Sequence, residues 1–71
     1  QHAVPGGEHA ARLGLTRRES DVLAAAARGL DEADIAQELA IARRTVNKHF
    51  EHIYRKLGVT DRAHAIVTAF A

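Results

Sequence analysis

Residues 43–57 read RRTVNKHFEHIYRKL and place two histidines, His49 and His52, three positions apart among five cations. Imidazoles at that spacing can ligate a metal, while guanidinium and ammonium groups bind phosphates and carboxylates. The metal chemistry is the weaker of the two. A zinc site takes four ligands, no cysteine exists in the chain, and His2, His9 and His64 stand at no ligand-like spacing from the pair. His49 is better suited to donate to an anion from the flank of a basic helix, so no metal and no cofactor are expected.

The charge around this stretch sharpens the choice. Over 15–40 three cations face six acids, a net of −3, whereas over 41–62 six cations (Arg43, Arg44, Lys48, Arg55, Lys56, Arg62) face two acids, a net of +4. Such asymmetry points to an anionic partner for the second half, with a solvated charged face as the plain alternative. Enzyme function is not expected: no nucleophile stands beside a base, and there is neither a glycine-rich phosphate loop nor a metal triad. The opening QHAVPGGEHA lacks the basic and apolar regions of a signal peptide and an initiator methionine, so a missing upstream portion is expected. No apolar run approaches the roughly 20 residues of a membrane span. The absence of cysteine suits a reducing compartment, and a cytoplasmic location with no membrane partner is expected.

The elements that must hold these residues are helical. Alanine dominates the apolar residues, and it is the best helix former. At 71 residues the chain buries about 60% of its unfolded surface, so an all-α, compact four-helix domain is expected over 15–71. Residues 1–14 carry the only proline and three of five glycines, and read as a linker or disordered arm. Thr16 and Glu19 form a capping box for the first helix, with Leu15 as its staple and Gly29 as its stop. Asp31 and Asp34 open a short second helix buried through Ile35, Ala36 and Leu39. In the third helix, at about 43–57, Val46, Phe50, Ile53 and Leu57 share one stripe, and Gly58 ends it. A fourth helix at about 62–70 has Ala63, Ile66, Val67 and Phe70 as its inner face. The remaining core comprises Val22, Leu23, Ala26, Leu30, Ile41 and Val59.

Two helices joined by Ala40-Ile41-Ala42 cross steeply, which is a helix-turn-helix arrangement. The third helix can then enter the DNA major groove by its N-terminal half. Its outward residues there are Arg44, Asn47, Lys48 and Glu51: cations donate to guanine, asparagine pairs with adenine, and glutamate accepts from cytosine. Arg43, Thr45, His49, Lys56 and Arg62 flank that strip and can reach phosphates. Glu51 can instead be a solvated spacer paired with Arg55 at i, i+4.

The ordered motifs LTRRE, DIAQEL, TVNKH and KLGV followed by Arg62 resemble the LuxR/NarL-type (GerE-like) helix-turn-helix domain of bacterial transcription regulators, over roughly 15–70. The resemblance implies sequence-specific binding to double-stranded DNA as the output domain of a response regulator, placed after an upstream regulatory domain and able to contact RNA polymerase. It places base contacts on Asn47, Lys48 and Glu51, and phosphate contacts on Thr16, Arg43, Arg44, Thr45, His49, Lys56 and Arg62. It also implies homodimerisation through the fourth helix, where Ala65, Thr68 and Ala69 are read as an exposed strip of small residues; a monomeric helix with harmless alanines is the alternative. Ala42 departs from the family's capping serine, Asn47 from a common lysine, Ala33 from another, Ala40 from a frequent glycine, and Glu51 adds a negative charge. A sigma-factor-like or other helical protein-interaction module is the competing function, and the KLGVTDRAHA tail favours the regulator.

Overall fold

A computed structural model describes residues 12–70. Four helices lie wholly within them: α1 (Arg17–Ala27), α2 (Glu32–Leu39), α3 (Arg43–Leu57) and α4 (Arg62–Phe70). Most of the expected arm, residues 1–11, falls outside the described residues. Leu13, at the edge of that arm, packs against the core as a partly buried side chain.

Local sequence explains where the helices begin and end. Thr16 accepts from the Glu19 amide, and the Glu19 carboxylate accepts from the Thr16 amide, which completes the capping box. Asp31 caps α2 through the Asp34 amide at 2.8 Å. Asp61 does the same for α4 through the His64 amide at 2.8 Å. The first three helices close alike. Leu30 N–H donates to Ala25, Ile41 N–H to Ala36 and Val59 N–H to Tyr54, each across five residues, with the preceding residue in the left-handed conformation. This is the Schellman ending, and its left-handed position favours glycine. Gly29 and Gly58 occupy it after α1 and α3, but Ala40 occupies it after α2 with φ +57°.

Helix α3 is the hub: it packs on α1, α2 and α4, while α2 and α4 each touch α1 and α3 without meeting each other. Val46, Phe50 and Ile53 face inwards from α3 against Leu15, Val22, Leu23 and Ile35, as the spacing predicts. Leu30, Leu39, Ile41, Leu57, Val59, Ile66 and Phe70 are only partly buried around that centre. Alanines take the places left: Ala25, Ala26 and Ala36 are buried, and small side chains there let the helix axes approach closely.

The fourth helix corrects one expectation. Ala65 and Ala69 are 0% and 1% exposed, so they form the centre of its inner face and are not available as a dimer surface. Ala63 and Val67, expected inside, are exposed. At 100° per residue Ala65 and Ala69 stand only about 40° apart, with Ile66 and Phe70 on their flank. The face is therefore turned by about one residue from the expected stripe. Alanine carries too little apolar area to mark a face by itself, and close approach of α4 to α1 and α3 makes it the packing residue here.

Candidate nucleic-acid interface

The α2–turn–α3 unit presents one side of α3 to solvent. Ala40 turns the chain, and Ala42 stands at the N-cap of α3 in extended conformation with no side-chain bond to the helix. No acid lies in the first turn. Free amides and the positive end of the helix dipole are thus left beside Arg43 and Arg44, an arrangement that is unfavourable for the helix alone and favourable for a phosphate.

Arg43, Arg44, Thr45, Asn47, Lys48 and Glu51 are all exposed along the N-terminal two thirds of α3, and His49 is half-buried at their edge. Arg44 and Arg55 have no carboxylate within ion-pair distance among the described residues. Arg43 meets Glu32 of α2 through Nε at 3.3 Å. Glu51 lies 3.9 Å from Lys48, three residues before it, rather than pairing with Arg55. Residues three and four apart both neighbour one another on a helix, and the side chain that Glu51 approaches is Lys48, which corrects the expected i, i+4 partner.

Besides Arg43, three expected phosphate ligands, Lys56, Arg62 and Thr16, are engaged within the fold. The Lys56 ammonium donates to Glu19 Oε1 at 2.7 Å. Glu19 is 3% exposed and also lies 3.6 Å from His52 Nδ1, so Lys56 neutralises a carboxylate that the capping box has drawn inside. Burial pushes the Glu19 carboxyl up, but the Lys56 bond and charge and the Thr16 donors together hold it below the ordinary glutamate range. Arg62 donates to the Leu30 carbonyl at 2.9 Å and covers the Phe50 ring at 4.5 Å, which fastens the start of α4 to the core. Thr16 serves as a cap and keeps an exposed position at the start of α1. Its place is apart from the α3 strip in sequence but beside Lys56, since both share Glu19.

His52 is thus adjacent to Glu19 and is not paired with His49. Sequence spacing missed the Glu32–Arg43 pair and the role of His52, because both depend on how α1, α2 and α3 cross. A carboxylate eleven positions before an arginine carries no local periodic signal.

The model of the luxR family of bacterial regulatory proteins matches residues 13–69, the span that contains α1, α2, α3 and all of α4 except its last residue. The chain belongs to the luxR family. This luxR-type domain is 44% identical over 55 residues to the HTH-type transcriptional regulator MalT of Vibrio campbellii, covering 78% of the chain and 6% of that protein. It is 46% identical over 55 residues to the probable transcriptional regulatory protein NarL of Mycobacterium tuberculosis, covering 78% of the chain and 26% of that protein. Its fold matches the crystal structure of the response regulator ChrA of a heme-sensing two-component system at a TM-score of 0.76 and 42% identity, over 78% of the chain and 27% of that one. The luxR-type chain therefore spans about a quarter or less of these relatives. It is a helix-turn-helix DNA-binding output domain of a transcription regulator.

Proposed function

We propose that α3 reads the DNA major groove, with Asn47 and Lys48 on base edges, Glu51 beside them as reader or as the neutralising partner of Lys48, and Arg43, Arg44, Thr45 and His49 on the backbone. The observation that carries this assignment is the division of α3 itself: Val46, Phe50 and Ile53 are buried, while the residues able to hydrogen-bond bases and phosphates face out from its uncapped N-terminal part, whose own first turn holds no acid. Thr16, and Lys56 from its bond with Glu19, approach the backbone at the edge of that strip. Arg62 belongs to the core contact and is not assigned to DNA.

The domain serves a response regulator in the cytoplasm. An upstream regulatory domain controls it, and RNA polymerase is the partner through which its binding changes transcription. Two copies on one operator would meet through the outer side of α4. Thr68 remains there, beside Val67 at 61% exposure and the exposed His64.

Substitution separates the two kinds of contact. Asn47→Ala or Lys48→Ala should relax base preference at one or two positions of a bound duplex and cost about 1–3 kcal/mol on the preferred sequence. Arg44→Ala should weaken all sequences alike and lower the salt slope by about 1. Base preferences unchanged in both Asn47→Ala and Lys48→Ala would remove α3 as the reader.

A further inference from the structure

Three of the five cations on α3 are matched by carboxylates of the same chain: Arg43 by Glu32, Lys48 by Glu51 and Lys56 by Glu19. The Lys56 pair neutralises a buried carboxylate. The Arg43 pair is different in kind. It joins two helices across the turn by one contact at 3.3 Å through Nε, on a guanidinium that is 68% exposed. By contrast, one nitrogen of Arg28 approaches both Glu38 oxygens at 2.6 and 2.7 Å.

We propose that Glu32 is an affinity-limiting residue, a built-in competitor that occupies Arg43 in the free domain and opposes the phosphate Arg43 must take. The inference rests on the DNA-reading role of α3. Glu32 is the first residue of α2, where the helix dipole stabilises its negative charge independently of Arg43. The carboxylate therefore stays beside the guanidinium when an anion arrives. A phosphate at Arg43 meets a cation already partly neutralised, and a like charge behind it. Positioning is the opposite role for such a pair, in which the acid holds the guanidinium ready for phosphate. A long single contact on an exposed side chain constrains Arg43 too little for that. An exposed pair is worth at most about 1 kcal/mol, so Glu32 moderates binding without abolishing it.

The test measures binding of the 71-residue chain to a mixed-sequence duplex over a range of salt concentrations. Glu32→Gln should bind roughly two- to fivefold tighter, with a log–log salt slope steeper by up to about 0.9 because Arg43 neutralises a full phosphate. Asp34→Asn makes the same change in net charge but sits about 200° around α2 from Glu32, and it should have a smaller effect on both. In an Arg43→Gln background, Glu32→Gln should add little. Weaker binding by Glu32→Gln would show positioning instead. Unchanged binding, or a gain that persists fully without Arg43, would also overturn the competitor role. A wild-type chain with no salt-dependent binding would remove the DNA-reading role itself, which the variants alone cannot do.

Discussion

Glu19 concentrates more of this small domain's polar chemistry than any other side chain. It caps the amide of Thr16, accepts from Lys56 and lies beside His52, and it is the one charged residue counted as buried among those described. With its folded pKa held low, the stability it contributes is fully present above the ordinary glutamate value of about 4.3 and is lost as pH falls through the lower folded value. Asp61, held low chiefly by the His64 amide, titrates in the same acid range, so a comparison of variants is needed. Glu19→Gln should lower stability at neutral pH by about 1–3 kcal/mol, through the lost charge-assisted bonds, and should flatten the decline below about pH 4.3. Denaturant melts of both chains from pH 7 down to 3 measure this; an undiminished acid decline in Glu19→Gln would assign it to other carboxylates. The capping box around this residue was legible in the sequence because its partners are three positions apart. Its link to Lys56, 37 positions away, was not, and by spacing alone Lys56 falls among the side chains able to reach phosphate.

At the scale of the element, the helix ends show the same division. Thr16, Asp31, Gly29 and Gly58 mark their boundaries by residue type, since caps and left-handed turns make local chemical demands. The α3 face was equally legible, because Val46, Phe50 and Ile53 are large enough for their period to be unambiguous. The α4 face was not, because alanine fits both a buried close contact and an exposed surface. Two alanines flank the helix-turn-helix corner at sites that favour other residues: Ala42 leaves α3 uncapped, and Ala40 adopts φ +57°. The open N-terminus at Ala42 favours phosphate at the expense of helix stability. Ala40 offers no comparable gain. Ala40→Gly should relieve the left-handed strain and stabilise the domain by about 0.5–1 kcal/mol, net of the added freedom of glycine in the unfolded chain. Thermal melts measure the shift, and a loss of stability would mean that the Ala40 methyl group packs usefully at the corner.

Taken whole, the molecule is a scaffold of four helices that fixes the orientation of one. Contacts from α1, α2 and α4 converge on α3, so the exposed strip from Arg43 to Glu51 is held by a rigid core and not by a loop. The charge division between the halves also acts at this scale. The acidic α2 lies directly before the basic α3 and supplies Glu32 to it, so attraction to DNA is tempered by carboxylates of the same fold. Such a surface favours discrimination between sequences over general adhesion, because phosphate attraction is the part of binding that carries no sequence information. The most direct measurement is selection of bound duplexes from a randomised pool by the 71-residue chain, at low and moderate salt, followed by sequencing. The expected result is an enriched motif, with half-sites about 10 base pairs apart where two copies bind, and recovery that falls steeply as salt rises. A pool recovered without enrichment, or no recovery even at low salt, would contradict groove reading by α3.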